Sequence, residues 1–252
     1  MEEIAIRECV TIEEFDQCVR LQSEVFGLPD LEISPRRHLI VSRQAGGWTM
    51  GAFANHSRGR IVGFVHHLVA VRGADEIIGY SHMMAVHRDY QNLGLGARLK
   101  WAQRERALAE GRKFIKWTWE PMQARNAHFN LNRLGVVVRT YGENFYGTDY
   151  VTDPEQAPLT KGLPSDRLFA EWELSSPRVV ELARGGEPVP PPGQVATIEI
   201  PADWTGLMKR DVNLAKEEQL RVRREFEQAF SSGLVCAGFE RSAAHPKYLL
   251  YK

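Results

Sequence analysis

The chain has 252 residues, of which 43% are hydrophobic and 25% charged, a composition typical of a globular protein with one large or two small domains. Its 32 basic and 32 acidic residues cancel, which argues against a nucleic-acid or membrane-surface partner held by bulk charge. The 3 cysteines have no zinc-type spacing, and neither a secretory signal nor a membrane-spanning run is present, so a reduced, cytoplasmic compartment is expected.

The first part of the chain predicts a strand, two helices and three further strands. A strand at 4–10 leads to a helix that begins after Thr11 and ends at Gly27. Its apolar face is marked at helical spacing by Ile12, Phe15, Cys18, Val19, Leu21, Val25 and Phe26. A loop and a short helix within 35–47 follow. Three β-rich runs separated by turn-like segments come next, at 48–55, 61–71 and 77–86.

The second part of the chain predicts alternating helices and strands. A helix extends to about Gly111, and a second helix ends at Gly135. Strands or strand-like runs are expected at 113–120, 136–147 and 163–174. Residues 181–194 contain three consecutive prolines and indicate a linker. Beyond it, a β-α-β-β order is predicted from a strand at 195–201, an amphipathic helix at 207–231 and strands at 233–242 and 247–252.

The most informative segment joins the strand that ends at Val86 to the following helix. It contains Gln91, Gly94 and Gly96, and a long helical pattern begins directly after them. Glycine lets the backbone approach a ligand closely, and the first turn of a helix presents unpaired N–H groups to an anion. A pyrophosphate suits such a turn. The segment lacks both the Gly-Lys-Ser/Thr ending of a nucleotide P-loop and the three-glycine dinucleotide fingerprint.

Gln91-x-x-Gly94-x-Gly96 resembles the acetyl-CoA-binding motif of the GNAT N-acetyltransferase superfamily, Gln/Arg-x-x-Gly-x-Gly/Ala. The preceding Ala-Val-His-x-Asp-Tyr at 85–90 is also similar to that superfamily, which usually has proline where Arg88 stands. The resemblance implies an α/β fold (an α+β mixed sheet of the GNAT acyl-CoA N-acyltransferase type) with a smaller C-terminal β-α-β-β extension. The expected division is a GNAT domain at 1–176, a linker at 177–194 and a half-domain at 195–252.

The same resemblance implies acetyl-CoA as co-substrate, no metal, and a primary amine acceptor that is a small molecule or a peptide. The expected partners include no nucleic acid and no membrane, and a homodimer is one option for the assembly. The backbone of Met84, Ala85 and Val86 is expected to pair with the pantetheine amides. The pyrophosphate is expected at the N–H groups of Gln91, Asn92, Leu93, Gly94, Leu95 and Gly96, with Ala97 and Arg98 at the helix start. Asn126 stands near the place of a cofactor-contacting asparagine in the superfamily.

The candidate general base is His82. Counting back from Val86, strand alternation predicts that Met84, His82 and Tyr80 share one face. Several superfamily members carry glutamate at the place of Tyr80, and arylalkylamine-type members carry histidine at the places of both Tyr80 and His82. A histidine titrates near neutrality and is able to deprotonate an amine, directly or through water. The alternative is a hydrogen-bonded structural histidine. His66 and His67 are adjacent, so they point to opposite faces and are interpreted as structural.

The candidate general acid is less well defined by the sequence. The superfamily often has a tyrosine four residues before the glycine that ends the helix, and this chain has Leu131 there. Substitutes are His128, Tyr141 and, among the catalytic candidates, Tyr146; the alternative is that these rings pack on the sheet edge. The favoured function is therefore acyl transfer by direct attack in a ternary complex. The alternatives are a non-catalytic acyl-CoA-binding or sensing protein and a tRNA-dependent aminoacyl transferase, which the neutral charge balance disfavours.

Overall fold

The computed structural model describes residues 3–28, 30–54, 59–148, 162–187 and 189–252. The described residues form two compact units: the first extends to Ile115, and the second begins at Lys116. Strand β5 begins in the first unit and ends in the second.

The first unit contains antiparallel strands and three helices. In chain order its elements are β1 Ile4–Glu8, α1 Ile12–Phe26, α2 Arg36–Gln44, β2 Trp48–Ala54, β3 Arg60–Arg72, β4 Glu76–Val86, α3 Leu95–Ala109 and the start of β5 Phe114–Trp119. Neighbouring strands from β1 to β4 pair antiparallel in that order. Every strand and helix predicted for this part of the chain is present.

A capping box and a left-handed glycine explain why both predicted ends of helix α1 are correct. Thr11 Oγ1 accepts the N–H of Glu14, and the Glu14 carboxylate accepts the N–H of Thr11, which forms a capping box. At the other end Gly27 has φ 56°, a left-handed conformation that glycine adopts without steric cost. Both features depend on residues that are close in sequence, so the helix ends can be predicted without knowledge of tertiary contacts.

The sheet of the first unit is covered by helices on both faces. Helices α1 and α2 contribute Phe15 and Leu39 to one apolar cluster, where they meet Phe64 of β3 and Ala85 of β4. Helix α3 contributes Leu95 and Leu99 to the opposite cluster, together with Val62 and Val65 of β3. Burial on both faces explains why β3 is a nearly continuous apolar run in the sequence.

A β-bulge interrupts the pairing of β3 with β4 at His82. His66 pairs with Met83 and His67 pairs with Ser81, so His82 is an extra residue on β4. The predicted alternation across this point is therefore wrong for Met84. Met84 packs on the α3 face with Val65 and Leu95, whereas His82 lies on the face of α2. One inserted residue moves every later side chain of the strand to the other face.

The second unit contains the end of β5 and the C-terminal elements. They are α4 Ala124–His128, a π-helical turn at Phe129–Arg133, β6 Tyr141–Gly142, β7 Arg167–Glu173, α5 Pro177–Ala183, β8 Gln194–Glu199, α6 Trp204–Arg210, α7 Val212–Ser231, β9 Val235–Glu240 and β10 Lys247–Tyr251. The order β5-β7-β6 forms one set of paired strands, and β8-β10-β9 forms a separate sheet. The predicted α/β class with C-terminal β-α-β-β elements is confirmed.

Three predicted elements of this unit differ from the structure. The strand-like run at 136–147 is a strand only at Tyr141–Gly142, because Asn144 takes φ 42° and donates its N–H to Asp166 in a turn. The helix expected at 207–231 breaks at Asp211, whose carboxylate caps the start of α7. Helix α5 at Pro177–Ala183 occupies the first seven residues of the linker expected at 177–194, and it includes the first three residues of the proline-containing run at 181–194.

Candidate functional site

The turn between β4 and α3 is folded back on the strand by Gln91. A short 3₁₀ turn covers Arg88–Tyr90, and the N–H of Gln91 donates to the carbonyl of Arg88 over 3.2 Å. The Gln91 side-chain amide donates to the carbonyl of Val86 over 3.0 Å. Gln91 therefore fixes the turn through both backbone and side chain, and its own N–H is already engaged.

Beyond Gln91 the backbone is left-handed at two positions. Asn92 has φ 62° and Gly94 has φ 79°, and Gly94 is the N-cap of α3 without a side-chain cap. A Cβ built at Gly94 would meet nothing within 4 Å, and one built at Gly96 would lie 3.6 Å from Met84 Cε. Leu93 is 64% exposed. The outer surface of the turn is therefore open, and its glycines are not sealed under side chains.

Helix geometry leaves the first N–H groups of α3 available to a ligand. The N–H groups of Leu95, Gly96 and Ala97 have no acceptor inside the helix, and the helix dipole adds a positive potential there. Arg98 N–H already donates to Gly94, and its guanidinium donates to the Ile4 carbonyl over 2.6 Å. The arrangement suits a diphosphate, with Arg98 tying α3 to β1.

Residues Met84, Ala85 and Val86 form the end of β4 next to this turn. They pair with Val65, Phe64 and Gly63 of β3. Met84 packs on the α3 side and Ala85 on the α1 side. Their backbone leads directly into the open turn.

His82 is held by a serine that is itself fixed by a buried glutamine. Ser34 Oγ lies 3.0 Å from His82 Nε2. The N–H of Ser34 donates to Gln22 Oε1 over 2.9 Å, and Gln22 Nε2 donates to the Ser34 carbonyl over 3.1 Å. Gln22 is completely buried. This pair of bonds fixes the loop between α1 and α2 with the Ser34 hydroxyl at His82.

The imidazoles of His38, His66 and His82 come from three different elements and lie close together. We call them the histidine cluster. The ring centroid of His38 lies 5.3 Å from that of His66 and 5.5 Å from that of His82. The centroids of His66 and His82 are 6.1 Å apart. Burial lowers the pKa of His66 to about 3 and also lowers the pKa of His82, with the neighbouring imidazoles as a further cause. His66 and His82 are therefore neutral at pH 7.

His67 lies on the opposite face from His66, as predicted. Its ring stacks on Trp48 with centroids 4.0 Å apart, and Gln103 of α3 lies 3.3 Å from His67 Nδ1. Burial, together with the nearby cations Arg112 and Lys100, lowers the pKa of His67 to about 2. His67 is thus a packed structural residue, whereas His66 belongs to the histidine cluster, a role that the sequence did not indicate.

The remaining candidates are divided between the two units. Ser81 faces α3, where its hydroxyl accepts a hydrogen bond from Lys100 Nζ. Strand alternation therefore places the preceding Tyr80 on the opposite face, which is also the face of His82. In the second unit, Tyr146 is 43% exposed, donates its N–H to Ser165 Oγ and has its hydroxyl 3.4 Å from Thr118 Oγ1. Asn126 is exposed on α4.

The place expected for a proton-donating tyrosine is apolar. Leu131 is completely buried in the second unit. Among the described residues no group of three His, Cys, Asp or Glu side chains is placed to hold a metal ion, the histidine cluster included. No helix in the described part of the chain is long and apolar enough to cross a membrane.

The fold and the turn define an α/β protein in which the open N-terminus of α3 follows strand β4. Residues 15–135 match the model of the acetyltransferase (GNAT) family, and this domain of the chain belongs to the GNAT superfamily. This membership supports acyl-CoA N-acetyltransferase activity in general, with acetyl-CoA as co-substrate. No protein of curated function matches the sequence.

Solved structures similar to this chain share the GNAT fold. The ribosomal-protein-S18-alanine N-acetyltransferase from Escherichia coli is 16% identical with a TM-score of 0.54, covering 69% of this chain and 96% of its own. A GNAT-family acetyltransferase structure from Desulfovibrio desulfuricans is 15% identical with a TM-score of 0.53, covering 69% and 100%. The NatC complex bound to Gag peptide and CoA contains a chain 17% identical with a TM-score of 0.52, covering 69% and 99%.

Proposed function

We propose that this protein transfers an acetyl group from acetyl-CoA to a primary amine by direct attack within a ternary complex. The observation that carries the proposal is the open, left-handed turn at Gly94, which presents the N-terminus of α3 at the end of β4. A diphosphate bound there places the pantetheine arm along Met84–Val86. The family match supports acyl transfer as the reaction class, and the open turn supports the proposed binding of the coenzyme diphosphate at the N-terminus of α3.

In the proposed reaction His82 removes a proton from the acceptor ammonium, directly or through water. The free amine then attacks the thioester carbonyl, the carbon–sulfur bond breaks, and the leaving thiolate takes a proton from solvent. A lowered pKa keeps the His82 imidazole neutral at pH 7, which is the form that accepts a proton. Ser34 holds the ring in one orientation.

The cofactor contacts proposed are those of the turn and the first turn of α3. Gly94, Leu95, Gly96 and Ala97 present backbone to the diphosphate, while Gln91 and Arg98 keep the turn and helix in place. Asn92, Leu93 and Asn126 are further proposed contacts. We propose further that the chain divides into domains at 1–176, 177–194 and 195–252, and that it is a cytoplasmic homodimer.

The acceptor is a primary amine on a small molecule or a peptide. Two of the similar structures are named for peptide-type acceptors, a ribosomal protein alanine in one case and a bound Gag peptide in the other. A peptide N-terminus is therefore one acceptor to test first, beside small amines.

A non-catalytic acyl-CoA-binding protein is the second candidate function. It is favoured by two observations: the place of the superfamily glutamate holds Tyr80, and the place of the acid holds the buried Leu131. Such a protein would bind acetyl-CoA without turnover on any amine.

One experiment separates the two functions. Calorimetry measures acetyl-CoA binding, and thiol release measures turnover with a panel of peptides and small amines. His82→Ala is expected to lower kcat at least about 100-fold with acetyl-CoA binding unchanged. The matched control is His245→Ala, an exposed histidine of the second unit, which should leave both quantities unchanged. Tight binding without turnover on any amine supports the sensor, and no binding at all refutes both functions.

A further inference from the structure

One face of strands β5 and β7 in the second unit carries half-exposed aromatic side chains. The side chains of both strands alternate between the two faces of the sheet, and Lys116 and Phe169 occupy half-buried positions. Phe145 and Tyr146, in the loop that follows β6, are 45% and 43% exposed. We give the name aromatic surface to the group formed by Lys116, Thr118, Phe145, Tyr146, Arg167 and Phe169.

The members of the aromatic surface contact one another in a continuous series. The ring centroid of Phe145 lies 4.7 Å from that of Tyr146 and 5.2 Å from that of Phe169, edge to face in both cases. Lys116 Nζ lies 4.6 Å from the Phe169 centroid, and Arg167 Cζ lies 5.2 Å from the Tyr146 centroid. Because the Phe145 and Tyr146 rings meet at 80°, they form a corner where a planar ring would contact one face and one edge.

The loop that presents this corner is fixed by hydrogen bonds to the start of β7. The N–H of Phe145 donates to the Ser165 carbonyl over 3.1 Å, and the N–H of Tyr146 donates to Ser165 Oγ over 2.7 Å. Asn144, which has φ 42°, donates its N–H to the completely buried Asp166 over 3.0 Å. The two rings are therefore held in place before any ligand binds, which reduces the entropy lost on binding.

Exposed aromatic rings on a fixed loop indicate a binding surface. Apolar area left in water forgoes about 25 cal/mol per Å² of burial, and a contiguous exposed apolar patch on a folded domain often marks a site of interaction. The hydroxyl of Tyr146 lies 3.4 Å from Thr118 Oγ1, so the polar end of this ring points along β5 while its carbon edge remains exposed.

The charges of the aromatic surface favour an anionic ligand. Lys116 and Arg167 lie over the rings of Phe169 and Tyr146, so an additional cation would meet two like charges. No carboxylate among the described residues forms an ion pair with Lys116, and its half-buried ammonium has donors for an anion. One such ammonium beside a corner of rings matches a single negative charge attached to a planar ring.

We propose that the aromatic surface binds a small aromatic carboxylic acid, with its ring in the corner of Phe145 and Tyr146 and its carboxylate at Lys116 Nζ. A chain of about two carbons between ring and carboxylate reaches across Phe169, which contacts both Phe145 and Lys116. This site goes beyond the proposed transfer reaction, because it uses no residue to which that reaction assigns a role.

The direct test is a titration of the full-length protein with 3-phenylpropanoate, followed in proton–nitrogen-15 spectra. The expected result is a saturable shift of the amide signals of Phe145 and Tyr146. Three analogues separate the contributions to binding: 3-cyclohexylpropanoate lacks the planar ring, 3-phenyl-1-propanol lacks the charge, and 3-phenylpropan-1-amine reverses it. We expect a Kd about fivefold higher without the planar ring and about tenfold higher without the negative charge.

The analogues also define the results that overturn the proposal. If 3-cyclohexylpropanoate binds as tightly as 3-phenylpropanoate, the rings do not recognise a planar partner. If the amine binds as tightly as the acid, the surface does not select an anion. Absence of a saturable shift with 3-phenylpropanoate overturns the proposal outright.

Two variants test the assigned contacts separately. Lys116→Met keeps an unbranched apolar side chain but removes the charge, so it should weaken binding of the acid about tenfold and leave binding of 3-phenyl-1-propanol unchanged. Phe145→Leu removes the ring and should weaken binding of both compounds about fivefold. The matched control is Lys216→Met, at an exposed lysine of α7 in the same unit, which should bind both compounds as the native protein does. Native affinity of Lys116→Met for the acid overturns the proposal.

Binding of acetyl-CoA distinguishes this site from the proposed coenzyme site. Lys116→Met and Phe145→Leu are expected to bind acetyl-CoA with the native Kd, and their melting temperatures report whether they are folded. Loss of acetyl-CoA binding in both folded variants would show that the aromatic surface belongs to the coenzyme site, which overturns the proposal. A native protein that binds 3-phenylpropanoate but not acetyl-CoA refutes the transferase function and leaves this site standing.

Discussion

Replacing Gly94 by alanine tests the proposed diphosphate-binding turn without introducing a steric clash. Gly94 has φ 79°, and a Cβ there would meet nothing within 4 Å, so the change strains the backbone without a clash. A left-handed conformation costs an L-residue about 1–2 kcal/mol. In a chain of this size that lowers the melting temperature by roughly 2–4 °C for each kcal/mol.

We expect Gly94→Ala to reduce the free energy of coenzyme A binding by more than it reduces the free energy of unfolding. Relief of the strain rotates the peptide groups on either side of residue 94, and these belong to the proposed diphosphate cradle. Loss of one hydrogen bond to a charged group corresponds to about 1.5–3 kcal/mol, or roughly a 10- to 150-fold weaker Kd for coenzyme A. Titration calorimetry measures this Kd, and differential scanning calorimetry measures the melting temperature.

The matched control is Gly111→Ala, just beyond the other end of α3. Gly111 has φ 77° and also has nothing within 4 Å of a built Cβ, so the two variants share the same backbone cost. Both should melt at a lower temperature, but only Gly94→Ala should bind coenzyme A more weakly. If the two variants bind equally well, the diphosphate does not bind at this turn and the reasoning is refuted.

Three further predictions concern stability. The pKa of His66 is about 3 in the folded protein and near 6.5 in the unfolded chain, so the free energy of unfolding should fall by on the order of 4 kcal/mol as the pH drops from 6.5 towards 3. Denaturant titrations across this range should show a shallower pH dependence for His66→Gln, and an equal slope would contradict the assignment. Thr11→Ala removes the cap of α1 and should cost about 1 kcal/mol, read as a small fall in melting temperature, while an unchanged midpoint would show that the cap is dispensable. Asp166 is fully buried and accepts bonds from Arg223 and Tyr141, so Asp166→Ala leaves the buried Arg223 guanidinium with the exposed Glu143 as its remaining ion-pair partner and should cost about 3 kcal/mol. Asp166→Ala combined with Arg223→Met should recover part of this loss, and no recovery would argue against the ion pair as the cause.

The strands and helices of the first unit were predictable because their signals are local. The capping box at Thr11, the left-handed Gly27 and the glycines of the turn each act within a few residues of chain. The same holds for the fold family, whose motif lies within 85–96. The helix break at Asp211 was not foreseen, because the apolar pattern continues across it and the deciding feature is a side-chain cap.

The histidine cluster was not predictable from the sequence. Its members come from α2, β3 and β4, and no spacing in the chain relates residues 38, 66 and 82. The bulge at His82 adds a second obstacle, because strand alternation counted across it assigns Met84 to the wrong face. Only the pairing register reveals an inserted residue, and the register depends on both strands.

The bulge also separates β4 into two independently constrained halves. At the bulge, His82 faces His38 of α2; downstream, Met84 and Ala85 pack in the two apolar clusters that cover the sheet. Under the proposed function, substitutions before the bulge change the surroundings of the proposed base, while the strand end that leads into the proposed diphosphate-binding turn keeps its packing. Deleting His82 would make Ser81 and Met83 consecutive partners of His67 and His66, which restores regular pleating while Met84 and Ala85 stay on their present faces.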